Sequence, residues 1–509
     1  MSEFYRFNCF FCIDLQVEFG KIFMFFIIQL VRSVFMPNLS ARKSPQSVID
    51  KGDLTQGNVF KQLISFSLPV LGASVFTQLY NVVDSITVGQ YVGSTALAAV
   101  GASAAINMVC HSLLTGIGMG SGVLISQNFG SKRMDEVKKN VRSSFWFAFL
   151  FGIAMMILGL VIARPVLELL NTPDNIIEQA TLYLRIVFLG LEGQMFYAIG
   201  GIVVRSFGDS RYPMFVQIVS AFVNIALDLL FVIAFNWGVA GVAIATAIAQ
   251  YVSAVMVYRH IVKVYQIPLI VKGEKLMDGD SIRIIVQLGI PIALSSLVTN
   301  AGTLIIQRYG NSFGSDFVAA NTVITRVDMF ALMPIMAISQ AITTFVGQNI
   351  GAGKLDRVKE GVRAGTILVV GFSVLAGLVM VFFGKYFVIL FNREEAIITL
   401  GSAGLAIMAF SYWSTGLQQS YSSMLRGAGD VNIPTIITII GMAIRIPMTY
   451  FMAIVPNNFK GMFYAVVIAN IVAAVVLLVY YKFGNWQEKG IAKRRETAEK
   501  RKRVIEGKQ

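Results

Sequence analysis

The sequence predicts an all-α polytopic membrane protein, with twelve transmembrane helices arranged as two pseudo-symmetric six-helix lobes. Three observations carry this reading. First, 56% of the 509 residues are hydrophobic and only 14% are charged, against roughly 25% charged in soluble domains; mean hydropathy is +0.69. Second, long apolar runs recur along the chain, and a hydrocarbon core of about 30 Å takes about 20 apolar residues per helix. Third, several segments recur at one fixed shift of 221 residues. In lipid the backbone must satisfy its own hydrogen bonds, so the spans are helices or a closed barrel. Continuous runs, rather than short alternating strands, favour helices.

The elements follow in chain order. Residues 1–56 read as an N-terminal extension. Within it FGKIFMFFIIQLVRSVFM is hydrophobic but short, and Arg32 interrupts it. It has no small-residue cleavage site and makes a poor signal peptide; Met36 is an alternative start. Residues 57–265 form a first lobe with spans at about 61–86, 95–126, 139–165, 177–204, 212–235 and 238–262. Residues 266–282 form the longest polar interruption, a cytoplasmic linker. A second lobe, 283–482, carries spans at about 283–308, 316–346, 361–386, 396–424, 433–455 and 461–481. Residues 483–509 are a basic tail.

Charge placement sets the orientation. The formal net charge is +14, but the basic residues cluster in short loops after even-numbered spans, such as Lys132, Arg133, Lys138, Lys139 and Arg142, and in the KRRETAEKRKR end. That is a cytoplasmic bias, and it places both termini inside the cell membrane. Nucleic-acid binding is not expected, because base-stacking aromatics in an exposed sheet or groove are missing. The partners expected are the lipid bilayer and small molecules, and the chain is expected to be a monomer. Cys9 and Cys12 form a C-x-x-C with no second pair or nearby His, so no structural metal is expected.

The two halves are related by direct repetition. SQNFGSKRMDEVKKNVRSS at 126–144 matches GQNIGAGKLDRVKEGVRAG at 347–365; RSFGDSRYP at 205–213 matches RGAGDVNIP at 426–434; YVGSTALAA at 91–99 matches SFGSDFVAA at 312–320. All three share the same shift without gaps. Six spans per repeat leave both halves facing the same way, with a pseudo-two-fold axis along the membrane normal, a plan known in secondary transporters.

Acids inside the membrane cost about 2.5–3.5 kcal/mol on insertion scales and are functional candidates by default. Thr77, Asn81 and Asp84 are spaced i, i+4, i+7 and share one helix face; Asn224 and Asp228 are spaced i, i+4 and share another. Thr246 in the next span adds a hydroxyl. Carboxylates with neutral oxygens suit a proton or a small hard cation, including Na⁺ at Asp228, Asn224 and Thr246. Two nearby carboxylates titrate as a coupled pair. A cation crossing the membrane brings about 2.3 kcal/mol per 100 mV. At the repeat shift Asn224 falls on Arg445 and Asp228 on Thr449, so the acids belong to the first lobe alone. Thr77, Asn81, Glu192 and Gln194 are set down as supporting polar groups, and Arg445, Tyr80 and Tyr197 as cavity or gating residues. Asp328 has Arg326 or Arg445 as an ion-pair partner.

Other chemistry is excluded. TGIGMGSG at 115–122 resembles a phosphate-cradling loop but lacks the lysine and following hydroxyl. Its G-x-x-x-G spacings suit close helix packing instead. No paired His, metal-ligand spacing or nucleophile motif points to an enzyme, and no cofactor is implied.

With these residues in place, residues 61–480 resemble the multidrug and toxic compound extrusion (MATE) transporters. The resemblance rests on LYNVVDSITVG, the SQNFG and GQNIGAG segments, RSFGDSRYP, RGAGDVNIP, and NIALDLLFV followed by GVAGVAIATAIAQ. It implies secondary active efflux of amphipathic, often cationic compounds by antiport against H⁺ or Na⁺, with alternating access of two lobes. The family's first-lobe acids fall on Asp84 and Asp228, and its neighbouring Asn and Thr on Asn224 and Thr246. Spans seven and ten lack the second-lobe acids of many bacterial relatives, so the chain looks more like the DinF-like branch than the NorM branch. It departs from the family at Ala198, where Asn is common, and at Glu192, where Pro is common. The rival reading is a lipid-linked oligosaccharide flippase. Its cavity would need basic residues for pyrophosphate, and Arg445 is the main mid-span candidate.

Overall fold

The computed structural model describes residues 52–491, and the N-terminal extension with Cys9 and Cys12, up to residue 51, and the tail from 492 lie outside the described residues. Among the described residues there are long helices and no strand. The first lobe comprises α1 (Val59–Thr87), α2 (Ser94–Gly130), α3 (Met134–Leu169), α4 (Asp174–Ser206), α5 (Arg211–Leu229) and α6 (Gly238–Val264). The second comprises α7 (Gly279–Asn311), α8 (Ser315–Gly351), α9 (Leu355–Phe391), α10 (Glu395–Ala409), α11 (Tyr412–Ala428), α12 (Asn432–Thr449) and α13 (Lys460–Phe483). Eleven are long and apolar enough to cross a membrane; α10 and α11 together make a twelfth span bent by 48°.

The bend is the main departure from the predicted spans, which ran straight through 396–424. Its cause is local. The Ser411 hydroxyl donates to the Met408 carbonyl (2.8 Å), and the Ser414 and Thr415 hydroxyls both donate to the Ser411 carbonyl (2.8 and 2.9 Å). Such side-chain bonds compete with the helical ladder and bend it.

The repeat seen in sequence recurs in backbone conformation. Gly93 and Gly314 take φ of 111° and 94°; Gly208 and Gly429 take 82° and 91°; Asn236 and Asn457 take 53° and 50°. Each pair is separated by the same 221 residues. Left-handed backbone favours Gly and tolerates Asn, which is why these positions repeat in identity. Wider π-helical turns also repeat, at Leu230–Ala234 after α5 and Tyr450–Ile454 after α12.

The lobes meet through reciprocal pairs: α1 packs on α8 and α7 on α2. Gly116 and Gly120 let α2 approach the α7 backbone at Gly289 and Ile285, while Gly118 and Gly122 leave room for Ile202 of α4. This is what the glycine-rich stretch does.

At the end carrying the basic loops, the C-terminal ends of α2 and α8 cross. Gly130 lies against the Gln348 backbone and Gly351 against the Gln127 backbone, so close that a Cβ on either would collide with a carbonyl oxygen. The two glutamines lock the crossing symmetrically. Gln127 donates to the Gly427 carbonyl (2.9 Å) and accepts from the Ile491 N–H (2.8 Å). Gln348 donates to the Ser206 carbonyl (2.9 Å) and accepts from the Leu54 N–H (2.8 Å). Ser206 and Gly427 are themselves 221 residues apart.

The segment joining the lobes is docked on α3. Arg142 pairs with Glu274, and Lys139 pairs with Asp278 at 3.0 Å. Trp146 Nε1 donates to the Leu269 carbonyl (3.0 Å). Asp278 caps α7 by accepting from the Ser281 N–H (2.8 Å) and hydroxyl (2.7 Å). Partial burial alone would raise the Asp278 carboxyl, but Ser281 and Lys139 outweigh it and hold it below the ordinary value.

Two outcomes are expected from this architecture. Gly351→Val should force the crossing apart. In a background freed of native cysteines, a cysteine replacing the buried Ser206 should then react with a membrane-impermeant maleimide more than about tenfold faster, a change of about 1.4 kcal/mol; unchanged labelling would contradict the role given to the crossing. Asp278→Ala should cost about 1 kcal/mol of helix-cap stability at pH 7. Because the folded carboxyl is held below its unfolded value, that contribution is complete above about pH 4 and lost as the pH falls through the lowered value. Thermal unfolding at pH 7 and pH 3 should show the gap between variant and parent closing at the acid end.

Candidate functional site

A cavity of about 620 Å³ lies beside α1, α2, α4 and α6, with Met329 of α8 on its second-lobe side. Tyr80, Asn81, Asp84, Tyr183, Gln194 and Thr246 line it. His111 of α2, another lining residue, is 19 positions before Gly130. At 1.5 Å per residue that places the cavity about 28 Å along the helix from the crossing. Asn81 and Ser85 are exposed on its wall. No Lys or Arg is among its lining residues.

The acids sit where regular helix ends. Asp84 is one turn before the π-helical turn Val88–Val92, and Asp228 is two residues before Leu230–Ala234. Such turns often mark functional sites, but α12 carries one without an acid, so this backbone feature belongs to the repeat. Asp228 is fully buried and Asn224 is 2% exposed. The Asp84 and Asp228 carboxylates lie within interaction range of one another. The phenols of Tyr80 and Tyr183 lie within range of both. Asp84 Oδ1 and both carboxylate oxygens of Asp228 are buried and accept no hydrogen bond.

Asn224 Nδ2 donates to Thr246 Oγ1 at 3.3 Å, leaving Asn224 Oδ1 without a partner. Asn224, Thr246 and Tyr80 also line a notch of about 10 Å³, the space of about one water. The unpartnered atoms here are all oxygens. They can hold a proton or a small hard monovalent cation. Among the described residues, no cluster of three or more His, Cys, Asp or Glu could hold a metal ion.

The second lobe fills the equivalent places differently. The Thr449 hydroxyl donates to the Arg445 carbonyl (2.8 Å) and is satisfied. Arg445 interacts with Asp328 of α8 rather than standing free, and Tyr412 also lies beside Asp328. Arg445 therefore has a carboxylate beside it and makes a poor pyrophosphate receptor, contrary to what the flippase reading would require.

Other residues singled out in the sequence are distributed elsewhere. Thr77 donates to the Ala73 carbonyl of its own helix (2.9 Å). Asn81 reaches the cavity and donates to Gln78 (3.0 Å), whose own amide meets the Met329 sulfur (2.6 Å). Tyr197 donates to the Pro213 carbonyl at 3.4 Å, near the start of α5 and away from the acids. Glu192 is not at the cavity at all; it faces α3, where its carboxylate rests against Gly152. Tyr183, Asn107, His111 and Gln250 line the cavity and were not singled out in the sequence. Tyr183 carries a signal in hindsight, a phenol in an apolar run of α4.

A model of the MatE family matches residues 69–230 and 291–451, once in each lobe. The chain is 28% identical over 447 residues to the probable multidrug resistance protein YoeA of Bacillus subtilis (strain 168), spanning 86% of this chain and 96% of the relative. It is 26% identical over 450 residues to the probable multidrug resistance protein NorM of Thermotoga maritima, spanning 86% and 96%. It is 23% identical over 425 residues to the multidrug export protein MepA of Staphylococcus aureus (strain N315), spanning 83% and 94%. Among solved structures, an outward-facing multidrug resistance MATE family transporter of the MOP superfamily aligns with a TM-score of 0.78 at 22% identity, covering 84% of this chain and 97% of that one. A MOP superfamily transporter from Pyrococcus furiosus Vc1 aligns at 0.79 and 21% identity, covering 86% and 98%. These structural likenesses bear on the fold.

Proposed function

Because this chain belongs to the MatE family of membrane transporters, we propose that it exports small amphipathic, often cationic compounds in exchange for H⁺ or Na⁺. Relatives named for multidrug resistance and multidrug export support the efflux part of this reading. The observation that carries the ion-coupling part is the carboxylate pair, Asp84 and Asp228, with three oxygens buried and unpartnered beside a cavity lined by no Lys or Arg. An unpaired charge in such a place is costly, and a bound cation removes the cost.

In this proposal Asp228 and Asp84 bind the coupling ion. Asn224, through its free Oδ1, and Thr246, through its hydroxyl, complete the oxygen set, and Tyr80 and Tyr183 close it from the cavity side. The basic side is cytoplasmic by the charge bias, so the locked α2–α8 crossing corresponds to an outward-facing state of a cell-membrane protein. Ion binding to the pair then favours loss of substrate, and opening of the crossing returns the ion inside. Coupling follows only if ion and substrate prefer opposite conformations. Placement in the DinF-like branch is part of the proposal and rests on the missing second-lobe acids. A monomer suffices, since both lobes lie in one chain.

The test is transport of a cationic dye in proteoliposomes under imposed pH or Na⁺ gradients. One gradient should accelerate dye movement at least about tenfold, equivalent to 1.4 kcal/mol, and Asp228→Asn and Asp84→Asn should each abolish the acceleration. Dye movement indifferent to both gradients sinks antiport; full acceleration in either variant removes that acid from the mechanism.

A further inference from the structure

Glu192 and Gln194 are two residues apart on α4, about 200° around the helix, and they face different chambers. Gln194 lines the inter-lobe cavity. Glu192 lines a separate chamber of about 400 Å³ on the other side of α4, between α3, α4 and α6. Six aromatic rings surround that chamber: Phe145, Trp146, Phe149, Phe196, Tyr251 and Tyr258. Trp146 and Phe149 meet at 88° with centroids 5.6 Å apart, and Phe149 and Phe196 at 87° and 6.2 Å. Rings set at right angles form walls of a box rather than a flat stack. Tyr251, Tyr258 and Val255 are 43%, 40% and 48% exposed, so the box opens sideways, where lipid lies.

The polar groups of the box narrow its occupant. The Trp146 N–H is engaged by the Leu269 carbonyl, and the Tyr251 hydroxyl donates to the Leu189 carbonyl at 2.8 Å. Both carboxylate oxygens of Glu192 are buried and have no hydrogen-bond partner. No Lys or Arg lines the chamber. The carboxylate is also built in: a side chain at Gly152 would occupy its place. Anions find no donor here, and sugars find few free ones. A cation with an apolar body meets a counter-charge and ring faces, the arrangement that binds ammonium groups in aromatic cages.

We propose that this chamber is a second ligand site, taking a lipophilic monovalent organic cation from the leaflet on the basic side, with Glu192 as its counter-ion. The site is separate from Asp84 and Asp228 and does not rest on the antiport reading. Leu269 and Ile270, from the segment joining the lobes, form part of its wall, so an occupant touches that connection directly. A free organic cation and the ammonium of a phospholipid headgroup share this chemistry.

The test is equilibrium binding of tetraphenylphosphonium to the full chain in nanodiscs of phosphatidylglycerol, at saturation. Glu192→Gln should lose one class of sites or weaken it at least tenfold. Phe149→Leu, which keeps the charge, should weaken the same class at least threefold, with both variants melting within two degrees of the parent. Unchanged binding in both variants overturns the proposal, as does equal weakening of every site class. Including phosphatidylethanolamine decides the source: displacement of the Glu192-dependent class assigns the site to a headgroup ammonium, and no displacement assigns it to free lipophilic cations. Gradient-driven transport by Asp228→Asn plays no part in this readout, so failure of the antiport reading and failure of this one are distinguishable.

Discussion

Much of the molecule depends on the crossing of α2 and α8 at the basic side. Two long helices from different lobes touch backbone to backbone at Gly130 and Gly351, which no side chain allows. Once they touch, Gln127 and Gln348 can each reach across to a helix end of the opposite lobe and to the chain segments that flank the spans. Four hydrogen bonds then close one side of the interface. The inter-lobe cavity is left about 28 Å away along α2, on the other half of the membrane. A seal on one side and a chamber on the other are the geometric needs of alternating access. The sequence places both on a repeated frame, so each half of the seal is the image of the other.

The site breaks that symmetry. Backbone turns, π-helical turns and the sealing glutamines all repeat, yet Asp228 faces Thr449 across the repeat and Asn224 faces Arg445. In the second lobe the equivalent groups satisfy themselves: Thr449 bonds its own helix and Arg445 has Asp328 as a neighbour. In the first lobe the oxygens are left without partners. Packing alone does not require that difference. Unsatisfied buried oxygens are costly in any protein and more so in lipid, and a fold that repeats its solutions elsewhere leaves them open only here and around Glu192, Asp328 and Arg445.

Much of this was legible in the sequence because its causes are local. Apolar run length sets the spans, and the residues that take left-handed backbone, Gly and Asn, repeat in identity. Asp84, Asn224, Asp228 and Thr246 stood out because oxygen-bearing side chains in apolar runs are visible without knowing the fold, and they do converge. The bend between α10 and α11 escaped notice because hydropathy does not register hydroxyls that bond the backbone. Tyr183, Asn107, His111 and Gln250 escaped because each belongs to a helix whose facing is set by packing. Glu192 shows the same limit from the other direction. Its position in mid-span was plain, but not the face of α4 it occupies, and that face separates it from the acids it was grouped with.

The central claim is that the coupling ion and the exported compound compete through Asp84 and Asp228. It is tested most directly by measuring ion release when a cationic drug binds the purified protein. Titration of the wild-type chain at several pH values and Na⁺ concentrations should show drug affinity falling as one of the two ions is raised, with that ion released on binding, and Asp228→Asn should bind drug with affinity independent of both. Drug affinity in the wild type that is flat across pH and Na⁺, with no ion released, would contradict the account.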